Sequence, residues 1–102
     1  MSIRYRVARC GEHVLTGWLE ADHGDFADSV DICVRIAKET NHVLSGDIIY
    51  VGDRFIHVAA VGVFNVLHPG DPRVQGLYAK FVKVEQLQAE ERVLGRPLVR
   101  NP

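Results

Sequence analysis

The chain has 102 residues, of which 47% are hydrophobic and 25% are charged, a composition typical of a soluble globular protein. Twelve Lys and Arg residues against thirteen Asp and Glu residues give a formal net charge of -1, which excludes a generally basic nucleic-acid binder and a generally acidic tail protein. We expect a single domain over residues 1–102, with about the last six residues frayed.

Residues 3–20 predict a β-hairpin, because residues 3–9 and 14–20 each alternate apolar and polar side chains. The register follows from keeping one apolar face, since a slip by one residue would move every side chain to the other face. The predicted partners on that face are Ile3 with Leu19, Tyr5 with Gly17, and Val7 with Leu15.

The same register fixes the opposite face and the turn. It places Arg4 across from Trp18, within reach of a cation–π contact. It also places Arg9 opposite His13, so that residues 10–12 form a three-residue loop containing a glycine.

An amphipathic helix is predicted over residues 25–40, with Asp22 or Asp25 as its N-cap and Asn41 as its end. Its apolar stripe comprises Phe26, Val30, Cys33 and Ala37 and is widened by Val34 and Ile36. Cys33 is therefore interpreted as a small core hydrophobe.

A second hairpin is predicted over residues 48–61, with Gly52 and Asp53 as a two-residue turn. One face carries Ile49, Val51, Ile56 and Val58, and the other carries Ile48, Tyr50, Phe55, His57 and Ala59. Because both faces are apolar, a single covering helix is insufficient. We interpret His57 as a core residue.

Residues 65–76 have the composition of an irregular loop, and residues 77–94 lack Gly and Pro and have a helical apolar stripe. We predict a C-terminal helix, best defined at about 84–94. A strand over 77–84 is the alternative, because that segment is rich in residues that favour strands.

These elements predict an α+β fold, with an antiparallel sheet from the two hairpins and the helix 25–40 on one face. Their order resembles the β-grasp arrangement, which would need a further strand from 77–84. The sheet face opposite the helix, here called the outer face, carries Val14, Trp18 and one side of the second hairpin. The C-terminal helix, a second copy of the chain or another protein must cover it.

No catalytic motif is present, so the first functional hypothesis is a non-catalytic binding or self-association module. Its partner is a protein or a second copy, bound through the outer face. We expect no cofactor and no metal, since the sequence contains no CxxC pair.

Two alternatives remain open. The hairpin ends could gather Cys10, His13, His42 and His68 at one end of the sheet, as a metal site or a Cys–His enzyme. Arg4, Arg6 and Trp18 could instead bind single-stranded nucleic acid weakly, although the neutral total charge argues against it.

The sequence also predicts a compartment. No apolar segment typical of a secretory signal follows the N-terminus, and no stretch approaches the roughly 18 apolar residues of a membrane helix. Two cysteines are too few for a disulfide framework. We expect a cytoplasmic protein with free thiols and no membrane partner.

Overall fold

The computed structural model describes residues 1–83, and the structural statements below concern that part of the chain. Its strands and helices are β1 Ser2–Arg9, β2 Glu12–Glu20, α1 Ser29–Glu39, β3 Ile48–Val51, β4 Arg54–Ala60, β5 Val63–Val66 and α2 Pro72–Tyr78. The five strands form one sheet in the order β2-β1-β3-β4-β5, and every neighbouring pair is antiparallel. The predicted α+β class with an antiparallel sheet is confirmed.

The register of the first hairpin is confirmed as far as Val7, including the pairing of Arg4 with Trp18. Beyond Val7 it shifts by one residue, because Val14 is an extra residue in β2. Arg9 therefore lies opposite Glu12 and not opposite His13. The turn shortens to Cys10 and Gly11, whose φ angles of 54° and 77° suit a two-residue hairpin turn.

Gly17 allows the ring of Tyr5 to lie directly across β2. A Cβ atom at position 17 would lie 2.3 Å from Cζ of Tyr5, so any larger residue would displace the ring. The Tyr5 hydroxyl lies 2.6 Å from Nδ1 of His42 and thereby connects β1 to the segment after α1. Burial raises the pKa of Tyr5, which keeps this hydroxyl protonated.

Helix α1 is shorter than predicted. Asp28 is its N-cap, because its side chain accepts a hydrogen bond of 3.0 Å from the backbone N–H of Asp31. Asp22 and Asp25 instead cap the short 3-10 turn that precedes α1. Helix α1 ends at Glu39, and its C-cap is Thr40 instead of the predicted Asn41.

The buried face of α1 consists of Ser29, Ile32, Cys33 and Ile36. Of the predicted stripe, Cys33 and Ile36 are buried, Val30 and Val34 are half-buried and Ala37 is exposed, while Phe26 precedes the helix. Cys33 is fully buried, as predicted. On the sheet side, this first core contains Ile3, Tyr5, Val7, Leu19, Ile49, Val51, Ile56 and Val58.

The second hairpin has the predicted register, with Ile49 opposite Ile56 and Ile48 opposite His57. Its two faces contribute to two separate cores, as expected from apolar residues on both sides. The fifth strand, Val63–Val66, is a correction, because residues 65–76 were predicted to be a loop and 77–84 was the segment proposed to add a strand. A turn at Gly62, with φ of 78°, returns the chain beside β4.

Helix α2 covers part of the outer face. The second core consists of Val74, Leu77 and Phe81 packed against Ala8, Ile48 and Phe55. Residues 72–83 are helical, so the strand alternative for 77–84 is wrong as far as Lys83. The predicted helix 84–94 and the frayed end lie outside the described residues. No helix within residues 1–83 is long and apolar enough to cross a membrane.

Asp47 is completely buried and connects three parts of the fold. Its carboxylate accepts hydrogen bonds of 2.9 Å from Nε and Nη2 of Arg9, at the end of β1. It accepts another of 2.9 Å from the backbone N–H of Leu44, in the connection after α1. Its carbonyl oxygen accepts from the backbone N–H of Val58 in β4. The buried charge is therefore both paired and fully hydrogen-bonded.

Replacing Asp47 with Ala should lower the free energy of unfolding by at least about 2 kcal/mol, because Leu44 and Arg9 lose their shared acceptor. Urea unfolding would measure the change. Glu39→Ala is the control, since it removes an exposed ion pair with Arg35 and should cost less than about 0.5 kcal/mol. Equal losses in the two variants would contradict the role assigned to Asp47.

The N-terminus of α2 depends on the ionisation of Asp71, whose side chain accepts from the backbone N–H and the guanidinium of Arg73. These hydrogen bonds lower the pKa of Asp71 to about 2. A depressed pKa in the folded state means that the contribution is complete above about pH 4 and disappears as the pH falls to about 2.

The stability difference between the wild type and Asp71→Asn should therefore be largest above about pH 4 and vanish near pH 2. Asparagine still caps the helix but does not titrate. Denaturant unfolding across this pH range measures the difference. Arg73→Gln should remove the share of this pH dependence that comes from the guanidinium and keep the smaller share of the backbone N–H. Stability curves of the wild type and Asp71→Asn that stay parallel at every pH would exclude this linkage.

Candidate functional site

The four residues of the predicted Cys–His cluster do not come together as one site. Cys10 is exposed in the β1–β2 turn. His42 lies beside Tyr5, and Nδ1 of His68 accepts a hydrogen bond from the backbone N–H of Gly70. Within residues 1–83, no group of three or more His, Cys, Asp or Glu side chains could hold a metal ion.

His13 occupies a structural position on the outer face. Its Nε2 lies 2.9 Å from the hydroxyl of Thr16, and its ring contacts Phe81 edge-on, with 5.6 Å between the ring centroids. The extra residue Val14 explains this position, because it puts His13 on the same face as Ala8. His13 therefore helps to anchor the segment after α2.

A cavity of about 310 Å³ lies between the first turn, the outer face of the second hairpin and α2. Its walls are formed by Ala8, Cys10, Gly11, Gly46, Ile48, His57, Pro72, Arg73, Gly76, Leu77 and Lys80. Cys10 belongs to this cavity, but the histidine that shares it is His57, which the sequence analysis had assigned to the core. The sequence offered one usable signal for α2, the Asp71-Pro72 pair, since Pro is favoured directly after an N-cap.

The charged side chains that line the cavity are both cations, Arg73 and Lys80. Arg73 binds Asp71, and Nζ of Lys80 donates to the carbonyl of Gly11 and to the carboxylate of Glu12. Neither of these carboxylates belongs to the cavity wall. The lining therefore combines apolar surface with hydrogen-bond donors.

The two cysteines differ in accessibility. Burial raises the pKa of Cys33 to about 12, so its thiol stays protonated near neutral pH. Cys10 is exposed on the cavity wall. Alkylating reagents can therefore discriminate between the two thiols in the folded protein.

The outer face beyond α2 brings together the residues of the nucleic-acid hypothesis. Arg4 lies opposite Trp18, and the guanidinium of Arg6 lies 5.8 Å from the ring centre of Phe81. A polar cavity of about 300 Å³ adjoins them, lined by Arg4, Arg6, His23, Tyr50, Val51, Gly52 and Asp53.

Strand β2 forms one edge of the sheet built by residues 1–83. On this strand Trp18 is 60% exposed and Val14 is 43% exposed. Both are large apolar side chains of the predicted binding surface. Helix α2 therefore covers the part of the outer face over β3 and β4 and leaves Trp18 accessible among the described residues.

Comparison with protein-family models, with curated proteins and with solved structures gives no match for this sequence.

Proposed function

We propose that this protein is a self-association module, in which β2 pairs with β2 of a second copy through the edge that carries Trp18. The observation that carries the proposal is the combination of an edge strand with a Trp side chain that is 60% exposed. An edge strand offers unpaired N–H and C=O groups, and an exposed Trp beside it supplies apolar area for a partner.

The sequence of β2 favours a second copy as the occupant. Residues 15–20 pair regularly with β1, contain no Pro or Lys and carry one charge, Glu20. Edge strands of natural sheets often carry Lys, Pro or a bulge, which prevents pairing with another chain. None of these features occurs from Leu15 to Glu20.

Charge also selects the register of the pair. An antiparallel pairing centred on Trp18 places the two Trp18 side chains side by side and Thr16 opposite Glu20. A pairing centred on Thr16 would place Glu12 opposite Glu20 and thus bring like charges together. We therefore propose the arrangement centred on Trp18.

Nucleic-acid binding through Arg4, Arg6 and Trp18 stays a prediction of lower rank. Arg6 already contacts the ring of Phe81, and the formal net charge of the chain is -1. Phosphate binding would weaken steeply with salt, whereas the apolar pairing proposed here would not.

Trp18→Glu should raise the dissociation constant of the dimer by at least about 30-fold, because a buried Trp at an interface centre commonly contributes 2 kcal/mol or more. Sedimentation equilibrium over a range of concentrations measures this constant. Val61→Glu is the matched control, since Val61 is 93% exposed at the β4–β5 turn and should leave the dimer intact.

Trp18→Cys, in a Cys10→Ser background, should cross-link two chains on oxidation, because directly opposite Cβ atoms lie within about 5.5 Å. Thr16→Cys should not form this cross-link, because residue 16 of one chain lies opposite Glu20 of the other, four residues away from position 16 of that chain. A monomeric wild type with shielded Trp18 fluorescence would contradict the proposal, because another part of the same chain would then cover the strand. A monomer whose Trp18 fluorescence is typical of a water-exposed side chain would also contradict the proposal.

A further inference from the structure

The cavity beside Cys10 has the construction of a small-molecule site. Its apolar part is formed by Ala8, Ile48 and Leu77, which are buried in the second core or at its border. Its volume of about 310 Å³ is at the lower end of the range of roughly 300–1,000 Å³ found for ligand sites. A site of this size accommodates a small molecule with a single ring.

Gly76 is part of the cavity wall. It lies within α2, where glycine weakens a helix relative to alanine. A Cβ atom added at position 76 would meet no atom within 4 Å, so packing against neighbours does not require the glycine. Because Gly76 lines the cavity, a larger side chain there would project into the space available to a ligand.

Three side chains of the cavity have hydrogen-bond donors to offer. Arg73 uses Nε and Nη2 on Asp71, and a guanidinium has five N–H groups, so some remain available. Lys80 donates to Gly11 and Glu12 and retains a third N–H. His57 is half-buried and forms no side-chain hydrogen bond with the described residues.

The charges of the cavity wall indicate the charge of the ligand. Both charged residues of the lining are cations, whereas their carboxylate partners Asp71 and Glu12 lie outside the cavity wall. A carboxylate in the cavity would accept hydrogen bonds from Lys80 and Arg73, while its hydrocarbon part contacts Leu77. We propose that this cavity binds a small organic anion, a carboxylate attached to one apolar ring or short chain.

Benzoate is a suitable probe, and benzamide is its neutral match. In backbone amide NMR of the full chain, benzoate should cause saturable shifts at Cys10, His57, Gly76 and Lys80. Benzamide should bind at least tenfold more weakly. Equal affinities for the two probes, or shifts spread over the surface without saturation, would overturn the proposal.

Two variants test the site separately from the fold. Gly76→Leu should abolish benzoate binding while preserving the spectrum of the first core, because leucine favours helices and its Cβ meets no neighbour. Lys80→Gln should weaken benzoate at least threefold and leave benzamide unchanged. Lys38→Gln, at an exposed position of α1, should change neither affinity. Unchanged benzoate binding in Gly76→Leu would exclude this cavity.

Alkylation of Cys10 provides a second readout. Its thiolate displaces iodide from iodoacetate or from iodoacetamide and forms a thioether in both reactions. The anionic reagent resembles the proposed ligand, so the rate ratio of iodoacetate to iodoacetamide should exceed that of free glutathione at least threefold. Lys80→Gln should reduce the ratio, and buried Cys33 should stay unmodified. A ratio equal to that of glutathione would contradict an anion-selective cavity.

Discussion

The buried carboxylate of Asp47 organises both the fold and the cavity. A charge removed from water must be matched by donors, and Asp47 obtains them from Arg9 and from the backbone of Leu44. This requirement fixes the end of β1 against the connection that follows α1. Cys10 and Gly46, the chain neighbours of this ion pair, are both in the cavity wall. The ion pair thus holds two residues of the cavity wall in place.

The hairpin of β3 and β4 imposes a second constraint, because it is apolar on both sides. Helix α1 covers one side, and α2 with Phe81 covers the other. Among residues 1–83, this second cover contributes three buried side chains, Val74, Leu77 and Phe81. It buries the centre of the outer face, while Trp18 on the edge strand remains accessible among residues 1–83. The proposed dimer and the proposed ligand site both depend on the incomplete covering of the outer face by α2.

The strand registers could be predicted because apolar alternation specifies them, as in the pairs Ile3–Leu19 and Ile49–Ile56. The bulge at Val14 could not be predicted, because it leaves no mark in the residue composition of the strand. It follows from the two-residue turn at Cys10 and Gly11, which shifts the register. Strand β5 was missed because four residues are too few to show a period. His57 was expected in the core, yet its place in the cavity wall depends on α2, whose start at Asp71 and Pro72 was taken for a loop.

The two edges of the sheet differ in length, and this difference limits stoichiometry. Strand β2 has nine residues, whereas β5 has four and follows a tight turn at Gly62. In the proposed dimer, pairing about a two-fold axis centred on Trp18 occupies residues 16–20 of both chains, and the bulge at Val14 interrupts the rest of that edge. The short β5 edges then remain at the two ends of a sheet of ten strands, five from residues 1–83 of each chain. A four-residue edge offers little template for further growth, so such an assembly closes at two chains instead of extending into a fibre.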